Sequence, residues 1–292
     1  MMEITKDLKV GIVGVGKVGM SIVQAFAQSG FKIQGMDIDQ GNIDKGLKSV
    51  GQNLESLVSK GKMKIEEKDA ILSRIHLSTD FDGLKKVDVV IEAVFENMDV
   101  KKAAFQKIDK MVGSKDALLL TNTSSLSVTE IASVTGRPEK VAGMHFFNPV
   151  PVMKLVEVVR GALTPDETIE QVKALARLMG KTPIVSADSP GFIVNRMLNA
   201  LAVEAARIVE EGVGTIEDVD TGAKLGLGHP MGPLELFDYL SAIQLLQHVT
   251  DYMAVELGER FRLPVWVKNL VRAGKVGRAA GRGFYNYEEK GK

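Results

Sequence analysis

The chain has 292 residues, 45% of them hydrophobic and 25% charged, enough to bury one or two domain cores. Its 37 basic and 37 acidic residues cancel, so no global field favours nucleic acid or an anionic membrane, and an anionic ligand must be met by local groups. There is no cysteine, and the four histidines are not at metal-ligand spacing, which excludes disulfides and thiolate nucleophiles and leaves no metal site to expect.

No apolar run approaches the roughly 20 residues that span a bilayer. The stretch Met1 to Asp7 lacks the basic-then-apolar layout of a secretory signal, so a cytoplasmic protein with no membrane partner is expected. Leu8 to Gly14 reads as a short buried strand. It runs into Gly14-Val15-Gly16-Lys17-Val18-Gly19, and from Met20 apolar residues recur at helical spacing until Gly30 closes the element. A bare G-x-G-x-x-G is weak evidence, but between a strand and a helix it has a mechanism. The glycines permit a tight turn and close backbone approach, and the helix N-terminus faces a pyrophosphate. The next strand, Phe31 to Asp37, ends in an acid placed to accept from ribose hydroxyls and to repel a 2′-phosphate. Asp39 follows and no basic residue appears before Lys45, so NAD is favoured over NADP. The bland alternative is a glycine turn that binds nothing.

The interval from Ile38 to Arg74 is longer than a crossover requires. Ile43 to Lys60 and Glu66 to Ser73 read as helices, a hairpin inserted into the sheet connections, and Lys45, Lys48, Lys60, Lys62 and Lys64 make it basic. Such a flank could meet phosphates or simply be solvated. A strand at Ile75 to Ser78 and a near-continuous apolar strand, Val87 to Val94, follow. The latter delivers Glu96, Asn97 and Lys101 to the carboxyl edge, where ligands of open α/β sheets sit. Ala117 to Thr121 delivers Asn122, Ser124 and Ser125 to the same edge, ahead of a helix from Val128 to Ser133. Ser125 or Ser127 suits its N-cap, while Ser124 reads equally as a cap or a catalytic hydroxyl.

Lys140 to Phe147 and Leu155 to Val159 are strand-length runs divided by Asn148-Pro149-Val150-Pro151, which rules out one helix. If they lie side by side, Glu157 can hold one ring nitrogen of His145 and leave the other for a substrate proton. The plain alternative is a buried histidine beside a turn. After a helix from Asp166 to Met179 and a strand from Thr182 to Ala187, the pattern changes at Asp188. Ser189 as N-cap and Pro190 at the first position predict a helix to Glu211. Thr215 to Leu225, Leu234 to Leu257 and Val265 to Ala273 read as further helices. Domains of 1–188 and 189–292 are therefore expected, the second all-helical. Asn195 lies one turn into its first helix, where it can serve a substrate or face water. His229, in a Gly-Pro turn, reads as structural. The apolar excess of Leu234 to Leu246 predicts a homodimer.

With these motifs in place, the chain resembles the short-chain L-3-hydroxyacyl-CoA dehydrogenases, including the bacterial and archaeal 3-hydroxybutyryl-CoA dehydrogenases, from about Leu8 to Tyr287. The carriers are Val13 to Gly19, Ile91 to Asn97, Thr121 to Ser125, His145 to Glu157, Pro190 to Arg196, Pro230 to Leu236 and Gly281 to Tyr285. The resemblance implies an α/β fold: an N-terminal Rossmann-type doubly wound sheet with the inserted helical hairpin, plus an all-helical C-terminal domain. It implies NAD-dependent oxidation of an L-3-hydroxyacyl-CoA and the reverse, with His145 as base and Glu157 orienting it. Ser124 and Asn195 would contact the reacting oxygen or thioester. The NAD site would comprise Gly14, Gly16, Lys17, Val18 and Gly19 together with Asp37, Glu96, Lys101, Ser124 and Asn148. The hairpin would contact coenzyme A, with Lys60 at a matching position and Asn53 where relatives commonly carry Ser. A second departure is Ala279, after Arg278, where relatives carry Lys. The competing readings are a sugar-acid dehydrogenase of the gulonate type, which has no use for a basic hairpin, and a non-catalytic NAD-binding protein like the related lens crystallins, which has no use for the His145–Glu157 pair.

Overall fold

A computed structural model describes residues 2–288, and they fall into two compact units, one ending at Ser189 and the other beginning at Pro190. In the first, β1 (Lys9–Val13) passes through the glycine turn into α1 (Lys17–Gln28), which ends as expected with Gly30 at a left-handed φ of 96°. Then follow β2 (Lys32–Met36), α2 (Gln40–Ser59), α3 (Ile65–Leu72), β3 (Ile75–Ser78), β4 (Val89–Glu92), α4 (Met98–Met111), β5 (Leu118–Thr121) and α5 (Val128–Ala132). β6 (Val141–Phe146), β7 (Leu155–Arg160), α6 (Asp166–Leu178) and β8 (Thr182–Ala187) complete the unit.

The strands form one sheet in the order β3-β2-β1-β4-β5-β6-β7-β8. The first six are parallel and follow the dinucleotide-binding order, β7 turns antiparallel to β6, and β8 runs parallel to β7. Strands covered by helices on both faces are buried along their length, and β4, β5 and β6 are buried at every position. Around Val10, Ile12, Ile33 and Ile91, the rings of Phe26 and Phe31 meet edge to face at 5.4 Å. α2 and α3 form the expected hairpin. It docks closely on α1 because a Cβ at Gly46 would lie 2.3 Å from Met20 Cγ.

The second unit consists of α7 (Val194–Glu210), α8 (Ile216–Gly226), α9 (Pro233–Tyr239), α10 (Ile243–Leu257) and α11 (Val265–Arg272). They pack around Ala202, Ala206, Leu234, Phe237, Leu246, Val267 and Phe284. Two helix expectations are corrected here. The first helix does not start at Ser189-Pro190, because Gly191 and Phe192 both take positive φ (75° and 50°) and postpone the helix to Val194. The run from Leu234 to Leu257 is two helices, broken where Ser241 takes φ 51° and its hydroxyl accepts from the Ala279 amide at 2.8 Å.

The C-terminal segment is strapped to this unit by two buried carboxylates. Asp238 accepts from the Phe284 and Tyr285 amides (2.9 and 2.8 Å) and from the Tyr287 hydroxyl (3.2 Å). Asp220 accepts from the Leu234 and Glu235 amides (2.9 and 2.8 Å) and from the Tyr285 hydroxyl (2.7 Å). A Cβ at Gly283 would stand 2.0 Å from Asp238 Oδ1, so the segment Gly281 to Tyr285 needs its glycine there. Among the described residues no helix is long and apolar enough to cross a membrane.

Candidate active site

All six parallel strands present their carboxyl ends at one edge of the sheet, and the candidate residues of the first unit collect there. The glycine turn is built by contact. Gly14 takes φ 87° with a virtual Cβ 2.8 Å from the Ala93 carbonyl oxygen, and a Cβ at Gly19 would lie 1.8 Å from the Gly14 oxygen. Gly16 is different: nothing lies within 4 Å of its virtual Cβ. Gly16 is also the N-cap of α1 and supplies no side-chain cap, so the first-turn amides of Lys17, Val18 and Gly19 have no capping side chain. Open space in front of an uncapped helix N-terminus is what a pyrophosphate requires.

Asp37 follows β2 and is 7% exposed. One carboxylate oxygen accepts from the Val15 amide (2.8 Å), inside the glycine turn, and the other from the Asp39 amide (3.0 Å) and Asn42 Nδ2 (3.3 Å). The acid is thus fixed against the turn. Asp39 caps α2, and α2 then rises about 30 Å away from this edge at 1.5 Å per residue. Asn53, exposed on it, donates to Gln24 Oε1 at 3.2 Å, and exposed Lys60 is its C-cap residue.

β6 and β7 pair with His145 opposite Glu157. His145 is 5% exposed and Glu157 is wholly buried, with Nδ1 2.7 Å from Glu157 Oε2. A carboxylate can only accept, so in this contact Nδ1 carries the proton and the tautomer is set. The ring also lies 4.6 Å from that of Phe147. The turn beyond places Asn148 at the surface and is tied down twice: Val150 N donates to Ser21 Oγ (3.2 Å), and Lys181 Nζ donates to the Val150 and Met153 carbonyls (2.7 Å each). Burial pushes the Lys181 ammonium below the usual lysine range.

After β5, Ser127 caps α5, which assigns the cap between the two candidates. The N-terminus of α5 is completed by Asp188, whose carboxylate accepts from Ser127 Oγ (2.7 Å) and from the Val128 and Thr129 amides (3.1 and 2.8 Å). At the other end of that loop Glu96 accepts from Thr123 Oγ1 (2.6 Å), Ser124 N (2.9 Å) and Ser124 Oγ (3.3 Å). Burial alone would raise the Glu96 carboxyl, but the Lys101 charge and the bonds from Thr123 and Ser124 outweigh it and hold the group below the usual carboxylate range. Lys101 is buried behind it, 2.7 Å from Glu92 Oε1 and 3.1 Å from Glu96 Oε2. Asn195 belongs to the second unit, half-buried in the first turn of α7, where its carbonyl accepts from Asn199 Nδ2 at 2.6 Å. His229 donates its amide to the Ala223 carbonyl (3.1 Å) beyond α8.

Sequence reasoning missed Glu92, Thr121 and Thr123, which form the buried backing of this edge, and Asp188. Glu92 had a usable signal: apart from Asp88 at its start, the run Val87 to Val94 is interrupted only by this acid, which must be paired if the strand is buried.

Residues 9–189 match the model of the 3-hydroxyacyl-CoA dehydrogenase NAD binding domain, and residues 191–287 match that of the 3-hydroxyacyl-CoA dehydrogenase C-terminal domain. The chain belongs to the 3-hydroxyacyl-CoA dehydrogenase family. It is 42% identical to a 3-hydroxybutyryl-CoA dehydrogenase of Clostridioides difficile, over 97% of this chain and 100% of the relative. It is equally 42% identical to a probable 3-hydroxybutyryl-CoA dehydrogenase of Bacillus subtilis, over 96% and 97%. Its fold matches the crystal structure of (S)-3-hydroxybutyryl-CoA dehydrogenase from Ralstonia eutropha with a TM-score of 0.93 at 41% identity, covering 96% of this chain and 99% of that one. As a 3-hydroxyacyl-CoA dehydrogenase the chain is an NAD-dependent oxidoreductase, and the open glycine turn with Asp37 beside it fits that cofactor.

Proposed function

We propose that the chain interconverts L-3-hydroxyacyl-CoA and 3-ketoacyl-CoA, with 3-hydroxybutyryl-CoA as the substrate to test first, and that His145 and Glu157 perform the proton transfer. The observation that supports the pair most directly is its buried 2.7 Å contact at the carboxyl edge of the sheet. When bound, NAD supplies the acceptor for the hydride from C3. His145 Nε2 takes the hydroxyl proton as the carbonyl forms, so charge does not accumulate on the oxygen, and in reduction the same atom returns the proton. Glu157 fixes the ring and favours the imidazolium that forms. Ser124 holds the reacting oxygen. Asn195 is assigned to the substrate on the family resemblance alone.

The cofactor would be held by Gly14, Gly16, Lys17, Val18 and Gly19 at the pyrophosphate, by Asp37 at the ribose, and by Glu96, Lys101, Ser124 and Asn148 along the strand ends. Asn53, Lys60 and the basic hairpin would take the coenzyme A moiety. A cytoplasmic homodimer fits the exposed Tyr239, Leu240, Leu245 and Val255 on and beside α9 and α10. The decisive assay follows NADH oxidation with acetoacetyl-CoA, free acetoacetate and a keto-sugar acid. Turnover with the thioester alone is expected, and equal turnover with free acetoacetate would overturn the coenzyme A assignment.

A further inference from the structure

The turn between β6 and β7 is held from outside by two side chains that no step of the proposed reaction uses. Within the turn, the Val152 and Met153 amides both donate to the Pro149 carbonyl (3.0 Å each). Val150, 1% exposed, is the foot of the turn in the core of the first unit. Both of its backbone polar groups are taken by other elements. Its amide donates to Ser21 Oγ of α1 (3.2 Å), and its carbonyl accepts from Lys181 Nζ (2.7 Å), which also donates to the Met153 carbonyl (2.7 Å). Lys181 is fixed at its root. It follows Gly180, which takes φ 72° after α6; its own amide donates to the Ala176 carbonyl (3.0 Å), and the Thr182 amide donates to the Lys154 carbonyl (2.7 Å) as β8 begins.

Lys181 is 9% exposed, and among the described residues no carboxylate pairs with its ammonium, whose pKa burial lowers. A buried charge without a counter-ion is costly, and an apolar side chain would fill the same space without that cost. Packing therefore does not account for a lysine here. Two converging carbonyls do, since each needs a donor once it is taken from water. We propose that Lys181 and Ser21 are positioning residues for the cofactor, holding the β6–β7 turn where Asn148 meets NAD. The proposal rests on the reading of Asn148 as a cofactor contact. Asn148, exposed and two residues before Val150, takes its place from the backbone that these two side chains fix. Ser21 lies two residues after Gly19, so the helix whose N-terminus faces the pyrophosphate also grips the turn that carries Asn148. One element thus sets the spacing of two contacts to the same ligand.

The test compares Lys181→Met, Ser21→Ala, Asn148→Ala and the double variant Lys181→Met/Asn148→Ala by thermal midpoint, NADH affinity and KM for acetoacetyl-CoA, each assayed well below its midpoint. Losing the ammonium leaves two carbonyls without a donor but also removes an unpaired buried charge. These effects oppose, so the midpoint of Lys181→Met should move little. Its NADH affinity is expected to fall about 10-fold, the scale of one well-made hydrogen bond, while KM for the thioester holds. Ser21→Ala keeps the buried cation and should weaken NADH in the same direction, by about 3-fold; it carries the test if Lys181→Met does not fold. Because Lys181 acts through Asn148, the double variant should bind NADH little worse than Asn148→Ala. Parent NADH affinity in Lys181→Met, or in Ser21→Ala where it stands in, would overturn the proposal and leave the two side chains as fasteners of the fold. Full additivity with Asn148→Ala would do the same. If Asn148→Ala alone binds NADH normally, the reading of Asn148 fails and the proposal falls with it.

Discussion

Glu157 is the residue whose conservative replacement says most. Glutamine keeps the shape of the side chain but turns an acceptor toward Nδ1 into a group that can donate, which fixes the wrong tautomer and withdraws the charge facing an imidazolium. Glu157→Gln is expected to keep its thermal midpoint and NADH affinity and to lose about 10³- to 10⁴-fold in kcat; near-normal turnover would remove Glu157 from the mechanism. The pairing itself was readable from two strand-length runs and a proline turn, because the register of an antiparallel pair follows from where the turn lies. What could not be read were the partners that converge from other strands. Nothing local in the sequence shows that Asp37 grips the Val15 amide or that Asp188 caps α5, because each joins points far apart along the chain.

At the scale of single elements, the glycine turn separates two roles that its motif lumps together. Gly19→Ala would drive a Cβ into the Gly14 carbonyl 1.8 Å away, so thermal stability and NADH binding should fall together. Gly16→Ala meets nothing in the protein and takes an ordinary φ of −63°, so the midpoint should hold while NADH affinity falls. Calorimetry beside NADH fluorescence titration checks both, and a Gly16→Ala protein that binds normally would show that no ligand passes over that turn. α4 went unrecognised because its inner stripe is Lys101, Phe105 and Ile108: with a lysine in the first buried place, the apolar period does not show. The break at Ser241 was hidden for the opposite reason, since apolar residues continue through it and only the bond from the Ala279 amide, far along the chain, marks the turn.

Across the whole molecule, the two units differ in how they can be watched. Trp266, the chain's single tryptophan, packs at 5.7 Å against Phe284 in the second unit, and its ring nitrogen donates to the Ala206 carbonyl at 3.2 Å. Asp238→Ala would orphan the Phe284 and Tyr285 amides, at a cost of roughly 3 kcal/mol or more. It should lower the unfolding midpoint seen by indole fluorescence while NADH affinity, a property of the first unit, is unchanged; an unaltered fluorescence midpoint would show that the aspartate does not hold the strap. The all-helical character of this unit was plain from periodicity, whereas the strap was not, because a segment held by buried carboxylates needs no period of its own. The lone indole has one further use. Its emission overlaps the absorbance of reduced nicotinamide, so the native protein carries an energy donor in one unit and takes up the acceptor in the other. Whether that emission is quenched or unchanged when NADH is added can be read in stopped flow on the native protein, with no added label.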